Sequence, residues 1–193
     1  ADYKILNAAD YGTPQARKRV IFIGIRNDLP IAEDFPEPTH GPGLRPWVTV
    51  RSAIDQLSDI PENREWSHVF TNHKPDFLER IKNTPIGSGV HSNYCDSYYR
   101  QPPDKPARTV KEHHGGVFLH YEKNRVMTPR ELARLQSFPD DYLFSGSKGA
   151  ILKQIGNAVP PLLAKAVGVR VRGMLDSLEG ADGQSLPQME DPA

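Results

Sequence analysis

Three short polar segments carry the side chains that could do chemistry in this sequence. The first, residues 15–19, is Gln-Ala-Arg-Lys-Arg and directly precedes a nearly continuous apolar run. Arginines two positions apart on an extended chain point to the same face, side by side. One guanidinium could therefore reach a phosphate while the other forks onto a carbonyl or a carboxylate. Basic residues before a strand are also common on ordinary protein surfaces, so this segment alone decides nothing.

The other two segments lie near the end of the chain. In residues 128–142, Arg130 and Arg134 are four positions apart and share one helix face. Residues 154–161 contain Gly156 and Asn157, which can form a left-handed cap and then cap the next helix. A helix N-terminus beside such a turn could receive an anion. An amphipathic helix and a plain helix–turn–helix joint explain the two segments equally well.

The elements that must position these segments begin with a hairpin. A short strand at 4–6, turn residues at 10–14 and an apolar run at 19–25 predict two antiparallel strands. The second run is apolar enough that we expect it to be buried on both faces. Short strands are also expected at 107–110 and 116–119.

Helices are predicted at five places. Thr49 can cap a short helix over 50–57, and Pro75 suits the first position of a helix through Ile81. Thr128, Pro129 and Glu131 form a capping box with proline at the first helical position, which predicts a helix ending near 138–140. Two more helices are expected at 148–155 and from 161 to about 178.

Composition bounds the class of protein. The chain has 193 residues, which suits one domain or one with a small appendage. Its single cysteine, Cys95, excludes a disulfide framework and a multi-cysteine metal site. No window approaches the roughly 20 apolar residues of a membrane span, and no signal peptide opens the chain. We therefore expect an intracellular, cytoplasmic protein that does not bind a membrane. His113, His114 and His120 lie close in sequence, but they lack a fourth ligand in register, and we expect no metal.

The formal net charge of zero hides an uneven distribution. Residues 1–26 hold five Lys or Arg against two acids, and residues 100–134 hold eight against four. The last 18 residues hold five acids and no base. Local basic patches are the electrostatic mark of a phosphate partner. Solvated surface charge is the competing explanation, and charge alone does not separate the two.

Taken together and in order, the segments resemble the motifs of bacterial DNA cytosine-5 methyltransferases. Residues 6–26 are similar to the Gln-x-Arg-x-Arg motif of that family. Residues 125–142 resemble the motif that follows its target-recognition region, and residues 154–168 resemble its last motif. Residues 36–57 are similar to the connection before the recognition region. The resemblance covers residues 3–175.

The resemblance implies an α/β fold. It would be the C-terminal part of a Rossmann-like methyltransferase domain, with its terminal strands and closing helix, joined to a small, irregular α+β target-recognition domain. We expect the strands in residues 1–27, a connection in 28–57 and the recognition domain in 58–127. The closing motifs would span 128–178, with the last helix returning to the catalytic domain, and an acidic, disordered tail would fill 179–193.

The family extrudes a cytosine from the duplex, adds a cysteine thiolate to carbon 6 and methylates carbon 5 from S-adenosyl-L-methionine. A Pro-Cys motif, a Glu-Asn-Val motif and a glycine-rich loop carry most of that chemistry. None of the three is found in this sequence. Cys95 falls in the recognition region and is interpreted as an ordinary thiol. The resemblance thus implies a C-terminal portion or subunit of such an enzyme. It would be inactive without an N-terminal catalytic portion, and it would bind the cofactor only together with that portion.

Site residues follow from the match. Gln15, Arg17 and Arg19 would line the flipped-base pocket and its flanking phosphate, with Arg19 contacting the base. Asn157 and Ala158 would lie beside the methionine end of the cofactor.

The double-stranded DNA partner would be contacted mainly through residues 84–105, in the major groove. The predicted DNA-binding residues are basic, aromatic or histidine side chains: Lys18, Tyr98, Tyr99, Arg100, Arg108, His113 and His114. Two alternatives remain open. One is a DNA-specificity module without enzymatic activity, which would have no use for a base pocket. The other is a fragment of a tRNA cytosine-5 methyltransferase.

Overall fold

In the part of the chain that the structure describes, two strands and five α-helices form most of the regular structure. The computed structural model describes residues 1–91, 98–112 and 118–182. The elements are β1 (Asp2–Asn7), β2 (Lys18–Ile23), α1 (Val50–Ile54), α2 (Pro75–Lys82), α3 (Pro129–Leu135), α4 (Lys148–Asn157) and α5 (Pro161–Asp182). Long irregular segments connect them, as the high proline content leads one to expect.

The predicted hairpin is present, with β1 and β2 antiparallel. A 3₁₀ turn over Ala8–Tyr11 ends at Gly12, whose φ of 86° is a conformation that favours glycine. On one face of the hairpin, Leu6 and Ile23 are buried in a cluster with Leu163 and Met174 of α5. The long last helix therefore packs on the strands near the start of the chain.

The other face of the hairpin is exposed, which differs from the expected burial on both faces. Tyr3 pairs with Phe22, and Ile5 pairs with Val20 across the strands. These four side chains are between 48% and 73% exposed. The reason is that α5 covers only one face of the hairpin, and no described element packs on the other.

The main core lies between α1, α3 and α4. The capping box predicted before α3 is confirmed, because the Thr128 hydroxyl accepts from the Glu131 amide while the Glu131 carboxylate accepts from the Thr128 amide. Thr49 caps α1 in the same way with Ser52. Ile54 ends α1, and a 3₁₀ turn over Asp55–Leu57 completes the predicted segment.

The region 58–127 contains one helix, α2, and otherwise only isolated bridges among its described residues. The expected strand at 107–110 is reduced to a single bridge between Ala107 and Gln15. Pro106 precedes this bridge and has no amide hydrogen to extend it. In the segment 116–119, Leu119 forms single bridges, and residues 116 and 117 lie outside the described residues.

A buried arginine holds this region together. Arg100 is 4% exposed. Its guanidinium donates to the carbonyl oxygens of Thr84 (2.7 Å), Ile81 (2.6 Å) and His120 (2.8 Å). Burial lowers the pKa of Arg100, but arginine keeps its charge in proteins. These bonds tie the end of α2 to the loop around residue 120.

Three of the helices differ in extent from the prediction. Helix α3 ends at Leu135, before the expected end near 138–140. Helix α4 continues through Gly156 to Asn157, so Gly156 lies inside the helix and does not form a left-handed cap. Helix α5 continues to Asp182, four residues beyond the expected end. The rest of the expected tail, 183–193, lies outside the described residues. Within the described part of the chain, no helix has both the length and the apolar character of a membrane span.

We expect Arg100→Met to lower the free energy of unfolding by about 3 kcal/mol, because it leaves buried carbonyl groups without donors. The matched control is Arg172→Met, which removes an exposed ion pair with Asp176. That change should cost roughly 0–1 kcal/mol. Urea unfolding at constant m-value measures both. Equal losses in the two variants would contradict the role given to Arg100.

Candidate functional site

A chain of buried amides connects the hairpin to the closing helices. Gln15 is fully buried, and its Nε2 donates to the Gln136 side chain (2.5 Å) and to Leu135 O (3.2 Å). Its Oε1 accepts from the amide of Val110 at 2.8 Å. Gln136 extends this chain of hydrogen bonds to α4, since its Nε2 donates to Ile155 O at 2.6 Å. These bonds fix residue 15 against the ends of α3 and α4.

Arg17 continues the same connection toward the surface. It is 3% exposed and donates to Val110 O (2.6 Å) and Gly156 O (2.7 Å). Its Nε is buried and has no partner among the described residues. Burial, together with the charge of Arg19, lowers the pKa of Arg17 to about 10. The guanidinium is therefore charged at neutral pH and held in one orientation.

A cleft of about 500 Å³, which we call the arginine cleft, opens beside these groups. Its lining includes Arg17, Arg19 and Asn157. Arg19 donates to Lys18 O at 2.7 Å, and partial burial lowers its pKa. The Asn157 amide donates to the Glu112 carboxylate at 2.9 Å. Two guanidinium groups beside one amide can receive an anion or a carbonyl oxygen as charge develops on it.

The structure therefore brings together three of the five residues predicted for the base pocket and the cofactor. Arg17, Arg19 and Asn157 share the arginine cleft. Gln15 lies behind it, where its full burial and complete set of hydrogen bonds do not fit contact with a ligand. Ala158 follows α4 and is partly buried beside the Gln136 side chain.

Two residues predicted to bind DNA are buried instead. Arg100 donates to backbone carbonyl groups, as described above. Tyr99 is 7% exposed and belongs to the main core. Neither placement fits a side chain that reaches into a groove. Arg108 is exposed and lies 3.7 Å above the Tyr99 ring. Tyr98 is half-buried and packs edge-on against Phe77.

The remaining predicted residues divide between exposed and undescribed positions. Lys18 is exposed on the face of β2 opposite to Arg19. His113, His114 and Cys95 lie outside the described residues.

His120 is described and belongs to the interior. Its Nδ1 accepts from the amides of Glu122 (3.1 Å) and Lys123 (3.0 Å), and its ring is fully buried. Burial lowers the pKa of His120 to about 4, so the imidazole is neutral at physiological pH. Within 1–91, 98–112 and 118–182, no three His, Cys, Asp or Glu side chains are grouped as a metal site would need.

Three contributors to the cleft were not singled out for it from the sequence: Gln136, Glu112 and the close approach at Gly156. A Cβ on Gly156 would overlap the backbone of Lys111 and Glu112. The available signal was a glycine inside a helical pattern, which often marks a close packing contact. Gln136 and Glu112 carried no such signal.

Comparison with known proteins identifies the family. The model of the C-5 cytosine-specific DNA methylases matches residues 1–172. The chain belongs to this family. It is 40% identical over 183 residues to type II methyltransferase M1.HphI of Haemophilus parahaemolyticus, covering 89% of this chain and 47% of that protein. It is also 40% identical over 174 residues to type II methyltransferase M.BbvI of Brevibacillus brevis, covering 82% and 45%.

A solved structure supports the same assignment. An E. coli prophage protein, described as a DNA modification methyltransferase, matches with a TM-score of 0.74 and 25% identity. The match covers 91% of this chain and 62% of that one. The fold is thus that of a methyltransferase-like α/β protein. The methylase chain spans about half the length of the curated relatives it matches.

We expect Gly156→Ala in this methylase to cost about 3 kcal/mol, because the added methyl group meets backbone that cannot rotate away. The matched control is Gly168→Ala in α5, where an added Cβ meets nothing within 4 Å. That change should stabilise the helix by roughly 0.5–1 kcal/mol. Thermal and urea unfolding of both variants measure the difference, and a neutral Gly156→Ala would refute the close approach.

Proposed function

We propose that this chain is the C-terminal portion or subunit of a DNA cytosine-5 methyltransferase, which supplies target recognition and part of the flipped-cytosine pocket. One observation carries the proposal: Arg17, Arg19 and Asn157 meet in the arginine cleft. A protein that only binds a DNA surface has no need of a cleft lined by two arginines. The membership in the methylase family supplies the reaction in which such a cleft is useful.

The two arginines have different parts in the proposal. Arg17 is fixed by two carbonyl oxygens, so it shapes the wall of the pocket and keeps a positive charge there. Arg19 is held by one bond to the carbonyl of its neighbour and can turn its remaining donors to the base carbonyl. Gln15 does not touch the base in this scheme. It is a positioning residue, because its hydrogen bonds to Leu135, Gln136 and Val110 fix the chain just before β2.

S-adenosyl-L-methionine supplies the methyl group in this family, and the described residues offer part of a site for it. Asn157 uses its amide nitrogen on Glu112, which leaves its Oδ1 able to accept from an ammonium group. Ala158 follows with an extended backbone. These residues fit one wall of a cofactor site. The proposal assigns the other walls to the N-terminal catalytic portion.

The same portion would provide the nucleophilic thiol, on this polypeptide or on a separate one. The exposed face of the hairpin supports this part of the proposal. Tyr3, Ile5, Val20 and Phe22 form a continuous apolar surface on two paired strands, and such surfaces usually mark an interface.

The DNA is expected to lie along the region 58–127. Among the residues predicted to bind DNA in the described part of this region, Arg108 is an exposed cation. It is stacked on Tyr99, which restricts its orientation without neutralising its charge. Lys18 points to the face of the hairpin that is assigned to the catalytic portion, so the proposal gives the predicted phosphate contact to Arg108 and not to Lys18.

We expect the chain alone to transfer no methyl group to DNA and to regain transfer when the N-terminal catalytic portion is added. Tritium transfer from labelled cofactor measures this. Transfer by the chain alone that survives Cys95→Ser would overturn the proposal. Phe22→Lys on the exposed face should block the recovery, because it places a charge in the interface. Leu44→Lys, at a comparably exposed apolar position, is the control and should not block it.

Arg19→Ala should slow methyl transfer in the reconstituted enzyme by on the order of 10²–10³, the usual cost of one lost donor to developing charge. Arg19→Lys should not restore the rate, because an ammonium lacks the planar fork. Lys18→Ala is the matched control: this side chain points to the opposite face of β2, so its loss should leave the rate at saturating DNA unchanged. Single-turnover rates at saturating DNA decide. A rate for Arg19→Ala within about threefold of the parent would make Arg19 a phosphate contact instead.

A further inference from the structure

A second, smaller cleft lies at the N-terminal end of α4, away from the arginine cleft at its C-terminal end. It measures about 230 Å³. Its polar lining comes from Arg64, Ser67 and Lys148, and we call it the Ser67 cleft. Sites for drug-sized ligands usually occupy roughly 300–1,000 Å³. This cleft therefore suits one small chemical group.

The two cationic side chains of the Ser67 cleft have no carboxylate in direct contact within the described residues. Among the described residues, neither Arg64 nor Lys148 forms a salt bridge with a carboxylate. Lys148 is half-buried, and its Nζ donates to Thr71 Oγ1 (2.5 Å) and Val69 O (3.5 Å), which are neutral groups. Glu62 acts on Lys148 from a distance, but its carboxylate already accepts from the Phe70 amide.

Ser67 gives an independent sign of a missing partner. It is 2% exposed, and its hydroxyl has no hydrogen-bond partner among the described residues. Its φ of 61° is also unusual for a residue other than glycine. An unpartnered buried hydroxyl costs roughly 1–3 kcal/mol. A strained residue with such a group, on the wall of a cleft, is typical of a binding position.

The start of α4 adds backbone donors. The Ser147 side chain caps the amide of Ala150. The amides of Lys148 and Gly149, in the same first turn, have no acceptor inside the helix. The positive end of the helix dipole lies at the same place. An anion in the Ser67 cleft would meet the side chains of Arg64 and Lys148 near this end of the helix, and a rotation of the Ser67 side chain would bring its unpartnered hydroxyl to the anion.

We propose that the Ser67 cleft binds a phosphate group. A phosphate has enough oxygen atoms to accept from donors that surround it on several sides, which the arrangement of Arg64, Ser67 and Lys148 requires. The apolar side chains of Val69 and Ile151 complete the lining and suit the carbon atoms of an attached sugar. The group belongs either to the DNA backbone, which rests on the proposed function, or to free phosphate.

Inorganic phosphate is the first probe, added to the chain at constant ionic strength and followed by ³¹P NMR line broadening. Lys148→Gln and Arg64→Gln should each weaken binding by about tenfold, as expected for a lost charge-assisted hydrogen bond. Lys153→Gln removes an exposed lysine from the same helix and should leave binding unchanged. Because Arg64 is exposed, its variant keeps the fold even if Lys148→Gln does not. Absence of binding, or equal binding by all variants, overturns the proposal.

Duplex DNA is the second probe and identifies the source of the phosphate. If the DNA backbone occupies the cleft, Arg64→Gln should reduce the slope of log affinity against log salt by about one, and Lys153→Gln should not. An unchanged slope together with weakened binding of inorganic phosphate assigns the cleft to free phosphate. The proposed function is tested separately by methyl transfer, so its failure would leave the result with inorganic phosphate standing.

Discussion

Backbone carbonyl groups without a helix or sheet partner set the main constraint on this chain, because so much of it is irregular. Buried arginines meet this constraint. Arg17, Arg100 and Arg130 are each at most 4% exposed, and each donates to two or more carbonyl oxygens. Within the described residues, none of the three forms a salt bridge with a carboxylate. The dipoles of the carbonyl groups take the place of a counterion.

The same constraint determines how rigid the candidate site is. Arg17 belongs to the interior and to the arginine cleft at once, so its guanidinium cannot move unless Val110 or Gly156 moves with it. Arg19 is less buried and has a single bond to its neighbour's carbonyl. Under the proposed function, a pocket with one fixed and one adjustable donor would keep its shape before the base arrives and still permit a final adjustment. Such preorganisation is where most electrostatic stabilisation comes from.

Local signals predicted the elements well, and distant partners explain the failures. The capping box at Thr128 and the proline at position 75 act within one turn of helix, so the sequence alone located α3 and α2. The burial of Gln15 and Arg100 could not be predicted in this way. Gln15 donates to Leu135 and Arg100 donates to His120, and both acceptors are distant in the sequence. Glutamine and arginine are also usually exposed. The exposure of one face of the hairpin was not predicted, because an apolar run in the sequence does not show which elements pack on it.

Helix α4 shows how one element can serve two sites with opposite requirements. Its C-terminal carbonyl groups carry partial negative charge, and the donors of Arg17 and Gln136 satisfy those of Gly156 and Ile155. Its N-terminal amides carry partial positive charge, and Lys148 and Ile151 near that end line the Ser67 cleft. A cation at one end and an anion at the other both lower the energy of the same dipole. Binding of a phosphate would therefore reinforce the helix that holds Asn157 at the arginine cleft.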